Sequence, residues 1–147
     1  MSEAGFWSSS VKPALFGWDP IRIETPDRDG TPDVNHIHGW LELKQVDSWP
    51  VREDTPLRVE HYTPQQRVWH KRRCLAGGRC QVLIKVKNDI LLLNGRVASD
   101  VLGHLSRGDL IKHAVGHWTT RQKWKKELKN AILSDRPDRQ LGLFDSR

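Results

Sequence analysis

The chain has 147 residues, 37% of them apolar and 29% charged, with a formal net charge of +6. This is enough for one ordinary domain with its own core; no apolar run reaches membrane-span length, and the N-terminus lacks a signal-peptide pattern, so a membrane partner is not expected. The two cysteines, Cys74 and Cys80, lack zinc-ligand spacing and read as free thiols suited to a reducing cytoplasm. The charge is uneven. Residues 19–60 hold ten carboxylates against five basic side chains, and the rest of the chain is strongly basic. An acidic centre between basic flanks fits a metal site that acts on a polyanion, with nucleic acid as the first choice of partner.

Residues 2–16 predict a first helix. Ser2 can cap it, Phe6, Trp7, Val11 and Leu15 keep helical spacing, and Pro13 ends or kinks it. Glu3 falls in its first turn, where it complements the dipole; it is also a candidate supporting acid for a metal. Residues 20–25 alternate like a strand, and 26–31 carry turn chemistry.

Residues 30–45, GTPDVNHIHGWLELKQ, hold the most informative pattern. Strands are expected at 33–37 and 39–46, which with 20–25 make an antiparallel meander. A turn centred between Ile37 and His38 sets Asp33 opposite Glu42. Two facing carboxylates repel, and a divalent cation would offset that. Alternation puts Glu42 and Lys44 on one face and Leu41 and Leu43 on the other. His36 and His38 read as turn residues, although their spacing could also hold a softer metal.

Residues 47–62 contain two prolines and little periodicity, and read as a loop bordering the substrate. Thr63-Pro64-Gln65-Gln66 opens a helix through a capping box, and Gly77-Gly78 closes it near Ala76. Arg67, Lys71, Arg72 and Arg73 make this helix basic and are candidates for contact with nucleic-acid phosphate. Residues 79–86 and 90–93 are strands around a turn at Asn88-Asp89, and ILLL at 90–93 is the expected deepest core. Residues 97–116 look helical, with Gly103 and Gly108 able to split them. Thr119 or Thr120 then caps a last helix to about Leu133. Its Arg121, Lys123, Lys125, Lys126 and Lys129 are candidates for phosphate contact. Residues 134–147 read as a loose tail.

The order helix, three strands, helix, strand, with Pro32-Asp33 followed by Glu42-Leu43-Lys44, resembles the PD-(D/E)xK nuclease signature. The segment TPQQRVWHKRRCLAGGRCQVLIKV is similar to the helix and strand that follow the lysine in the VRR-NUC branch of that superfamily. That branch includes stand-alone phage-type nucleases and resembles Holliday-junction resolvases. The resemblance covers roughly residues 3–95; residues 96–147 match nothing we can name.

The resemblance implies an α/β, restriction-endonuclease-like core with a mixed central sheet and flanking helices. One nuclease domain would span 1–133, with a helical extension from about 97. Asp33 and Glu42, with the Leu43 carbonyl and Glu3, would bind Mg²⁺ or Mn²⁺. Lys44 would orient the attacking water and stabilise phosphate charge, and its carboxylate neighbours favour that role over a free-amine base. Gln66 would support the site, with Gln65 one place off. The expected activity is metal-dependent hydrolysis of DNA, selective for branched, flap or junction structures, by a homodimer in the cytoplasm of a bacterial host if phage-encoded. The alternatives are a non-catalytic DNA-binding module, or a nuclease subunit active only in a larger DNA-processing assembly.

Overall fold

The computed structural model describes residues 2–23 and 30–137. Ser2 Oγ accepts the Gly5 N–H at 3.1 Å, which starts the first helix where the sequence places it. Helix α1 covers 3–14 in three pieces: an α-helical turn Glu3–Phe6, a π-turn Trp7–Val11 and a last turn Lys12–Ala14. Pro13 has no N–H, and its ring crowds the carbonyl four residues back. The π-turn, closed by Lys12 N–H on the Trp7 carbonyl, sits where the ladder must adjust to that ring.

Strands β1 (Ile21–Arg22), β2 (Val34–His36), β3 (Gly39–Val46), β4 (Cys80–Val86), β5 (Asp89–Asn94) and β6 (Gly116–Thr119) form one six-stranded sheet in sequence order. Every neighbouring pair is antiparallel except β3 and β4, which are parallel. The sheet is therefore mixed, and β1–β3 form the expected meander. A parallel step requires a crossover, supplied by 47–79 and its helix α2 (Pro64–Leu75). Of the predicted strand at 20–25 and turn at 26–31, residues 24–29 lie outside the described residues.

Both sheet faces are covered, so β4 and β5 are apolar almost throughout. On one face Leu41, Leu43, Leu83, Ile90 and Leu92 pack against Phe6, Val11 and Leu15 of the N-terminal segment and Trp124, Leu128 and Ile132 of α5 (Trp124–Ser134). On the other, Val82, Ile84, Leu91 and Leu93 meet Leu57, Tyr62, Ala98, Leu102 and Leu110. Ile90, Leu91, Leu92 and Leu93 are fully buried, as ILLL predicted.

The C-terminal third departs from expectation. The segment read as helix over 97–116 forms two short helices, α3 (Gly95–Val101) and α4 (Arg107–His113). Gly103 lies between them with φ of +95°, and Gly108 is inside α4. Residues 116–119 instead form β6, with Trp118 opposite Ile90. Such a short strand takes its conformation from the ladder it joins, not from its own propensity. Helix α5 has Lys123, not Thr119 or Thr120, at its N-cap, and no side chain caps it. Trp118 and Trp124 are core residues. The predicted loose tail begins tied down: the Asp135 carboxylate accepts from Gln81 Nε2 at 2.9 Å and Asn94 Nδ2 at 3.2 Å. Residues 138–147 lie outside the described residues.

Arg67 is also placed differently from its reading as a phosphate contact. Its guanidinium donates to the carbonyls of Ser99 and Leu102 at 3.0 and 2.7 Å, and lies over the Tyr62 ring. It ties α2 to α3. Charge-assisted bonds of this kind contribute about 1.5–3 kcal/mol. Arg67→Ala is expected to lower the free energy of unfolding in urea by about that amount; a change under about 0.5 kcal/mol, typical of surface substitutions, would return Arg67 to a surface role.

Candidate active site

Glu42 and Lys44 project from the middle of β3 toward α2, while Leu41 and Leu43 enter the opposite core, as strand alternation requires. The observed register pairs Val34 with Leu41, Asn35 with Trp40 and His36 with Gly39. One step further, Asp33 falls opposite Glu42, as the sequence symmetry predicted. The ladder stops there, and the next pair explains why. Pro32 would face Leu43, and proline has no N–H to give to the Leu43 carbonyl. The Leu43 N–H is taken by Asp33 Oδ2 at 3.0 Å. Since one residue's N–H and C=O leave a strand on the same edge, the Leu43 carbonyl faces the Asp33 side.

A glycine brings this edge to α2. Gly30 has φ of +87°, and a Cβ there would lie 2.3 Å from the Gln65 carbonyl oxygen. Only glycine lets the 30–33 loop approach the helix start so closely. The capping box at that start is complete: Gln66 N–H donates to Thr63 Oγ1 at 3.2 Å, and Thr63 N–H to Gln66 Oε1 at 3.0 Å. The other end of the same amide, Nε2, donates to Glu42 Oε2 at 3.1 Å. Capping and site support are therefore one side chain's two ends. Gln65 is exposed.

Glu42 and Lys44 are almost wholly buried, at 1% and 4% exposure. Lys44 Nζ lies 3.2 Å from Glu42 Oε2 and donates to the His61 carbonyl at 2.8 Å. Burial, and then the neighbouring Asp33 carboxylate, push Glu42 well above its ordinary 4.5, against the pull of Lys44. Its Oε1 is buried with no hydrogen-bond partner among the described residues. Glu3 reaches the same place from α1; burial raises it, with Lys44 opposing and Asp33 adding to the rise. An open cleft of about 540 Å³ connects these groups, lined by Glu3, Asp33, Glu42, Lys44, His61 and Gln66 with Ser2, Gln45 and Asp47.

A divalent cation fits this donor set. Two acidic side chains, one with an unsatisfied buried oxygen, face an edge that also carries the Leu43 carbonyl. Among the described residues no three or more His, Cys, Asp or Glu side chains group closely enough to hold a metal. The ligand set is thus a sparse one, of the kind Mg²⁺ completes with water.

Sequence reasoning missed Tyr62 and His70. His70 Nδ1 is 2.8 Å from the Tyr62 hydroxyl, and its Nε2 is 3.9 Å from Glu42 Oε1. Burial lowers His70 to about 3, with Lys44 adding to the effect, so the ring is neutral. The available signal was its position four residues after Gln66, on the same helix face. His36 and His38 pack on Trp18 with ring centroids 5.2 and 4.6 Å away, and burial lowers His36 to about 4. His38 lies in the turn, whereas His36, expected there too, ends β2 and pairs with Gly39.

The basic candidates separate into two groups. Arg67 is engaged as described above. Arg73 lies 4.5 Å above the Trp69 ring, and Lys129 donates to the Phe16 carbonyl beside Trp18. Arg72, Arg121, Lys123, Lys125 and Lys126 are exposed, as is Lys71, which pairs with Asp100 at 3.5 Å.

Glu42 has a consequence for stability. A carboxyl group raised on folding binds more protons in the native state, so its contribution becomes less favourable as pH rises above 4.5 toward the folded value. His36 and His70, lowered on folding, act oppositely below 6.5. A difference between variants isolates the acid. In EDTA, thermal melts should show Glu42→Gln gaining on the wild type as pH rises above 4.5, with saturating Mg²⁺ narrowing the gap; a difference independent of pH would contradict the assignment.

No protein-family model matches the chain, no curated protein matches it, and no solved structure matches it.

Proposed function

We propose that this chain is a metal-dependent nuclease that hydrolyses DNA phosphodiester bonds at the Asp33–Glu42–Lys44 cleft. The observation that carries this reading is the state of Glu42. A carboxylate is buried beside a second carboxylate, with one oxygen unsatisfied, at the point where the sheet edge opens. A buried ion pair such as Glu42–Lys44 is weak support for a fold, since replacing both partners with well-packed apolar residues is often neutral or stabilising. The resemblance to PD-(D/E)xK nucleases assigns the same three residues to catalysis.

When bound, a Mg²⁺ or Mn²⁺ ion would supply Lewis-acid polarisation of a phosphoryl oxygen and a nucleophile at neutral pH. Asp33, Glu42 and the Leu43 carbonyl would hold it. Lys44 is anchored by Glu42 and the His61 carbonyl, so its ammonium is fixed at the cleft wall. There it orients the attacking water and offsets charge developing on the phosphate. Gln66 restrains the Glu42 oxygen that Lys44 also contacts. The exposed bases of α5 follow from its packing: Trp124, Leu128 and Ile132 turn inward and leave Lys123, Lys125 and Lys126 to solvent. They suit sequence-independent phosphate contact.

The purified protein is expected to cut DNA with Mg²⁺ or Mn²⁺ and to stop in EDTA. Asp33→Ala and Glu42→Ala should abolish cutting, and Lys44→Ala should slow it by about 10²–10³-fold, with DNA binding largely retained. Wild-type cutting by Glu42→Ala would sink the proposal. Replacing Lys123, Lys125 and Lys126 with Ala should weaken binding to all DNA sequences. The slope of log K against log salt should become about 3 units shallower; an unchanged slope would leave that face merely solvated.

A further inference from the structure

Behind the cleft, Tyr62, His70 and Glu42 stand in line. His70 is fully buried, stacked on Tyr62 with centroids 5.4 Å apart and met edge-on by Trp69 at 6.2 Å. The ring is thus held in place, with Nδ1 on the Tyr62 hydroxyl and Nε2 toward Glu42 Oε1. Nε2 and Oε1 are both buried, and neither has a hydrogen-bond partner among the described residues. The other Glu42 oxygen is already occupied by Lys44 and Gln66.

Two facing orphans of this kind are costly apart and satisfied together. Their 3.9 Å separation exceeds a hydrogen bond by about 1 Å. The terminal torsion of a glutamate is soft, so carboxylate rotation can close that gap. A neutral imidazole carries one N–H, and the bond made at one nitrogen decides which nitrogen bears it. With the phenol donating to Nδ1, the proton sits on Nε2 and meets the carboxylate. When Glu42 holds a cation it is ionised, and the opposite tautomer would turn a lone pair toward that anion.

We propose that Tyr62 and His70 are positioning residues: the Tyr62 hydroxyl donates to His70 Nδ1, and the resulting Nε2–H holds Glu42 Oε1, fixing how the carboxylate presents itself to a cation. Neither residue touches the cation or the reacting phosphate. The inference rests on the metal-dependent reading of the cleft. Groups that orient a metal ligand in this way affect metal affinity by about 10–100-fold.

The test compares wild type, His70→Gln, His70→Leu and Tyr62→Phe for Mn²⁺ binding, measured by electron paramagnetic resonance of the free ion, with melting temperatures recorded alongside. His70→Leu should weaken binding by about tenfold or more. His70→Gln, which keeps an N–H donor near the Nε2 position, should recover most of it, and Tyr62→Phe should fall between. Independently, ¹⁵N spectra of imidazole-labelled wild type in Mg²⁺ should show the His70 signal, identified by its loss in His70→Gln, as the Nε2–H tautomer. Wild-type affinity in both His70→Leu and Tyr62→Phe, or an Nδ1–H tautomer, overturns the relay and leaves the metal reading standing. Absence of Mn²⁺ binding by the wild type overturns both. If His70→Leu does not fold, Tyr62→Phe and the tautomer decide.

Discussion

The burial of Glu42 is the constraint around which the surrounding elements are arranged. An ionised carboxylate taken out of water costs several kcal/mol unless its oxygens are matched by charge and hydrogen bonds. The compensation comes from two separate places. Lys44 arrives from the same strand and Gln66 from the first turn of α2, both on Oε2. The ammonium is steadied in turn by the His61 carbonyl at the end of the long loop. One acid thus links the sheet, the crossover loop and α2. The compensation is incomplete, because Asp33 adds repulsion and Oε1 stays unsatisfied. That remainder is the physical ground of the proposed function.

A second feature is how the chain opens an edge inside a sheet without unravelling it. Strand β3 pairs with β4 over 40–46 but with β2 only over 39–41. Pro32 ends the shorter ladder by lacking a donor, and Asp33 replaces the lost backbone partner with its own carboxylate. The dipeptide therefore does two jobs at adjacent positions. It terminates β2, and it leaves the edge of β3 lined with oxygen.

Much of this was legible in the residue order. Alternation in GWLELK put Glu42 and Lys44 on one face, turn symmetry set Asp33 across from Glu42, and Thr63 with Gln66 marked the start of α2. Each depends on interactions within a few residues or across one tight turn. Gln66 serves the cap and contacts Glu42 at once, because an amide has an acceptor end for the cap and a donor end for the acid. Strand β6, the inward roles of Trp118 and Trp124, the use of Arg67 as a tie, and the Tyr62–His70 pair behind Glu42 were not legible in this way.

By itself, then, the sequence determined the pattern of apolar and polar faces, the helix boundary at Thr63 and the local Asp33–Glu42–Lys44 arrangement. Periodicity and turn chemistry act over short spans, and nothing distant has to be known. Only the tertiary structure decided which basic side chains remain exposed, that residues 116–119 join the sheet, and that His70 stands behind Glu42. These outcomes depend on β3 and β4 lying side by side across the crossover, and on β5 offering its edge to residues more than twenty positions away. A sequence window contains neither surface, so it cannot show which side chains those surfaces will bury.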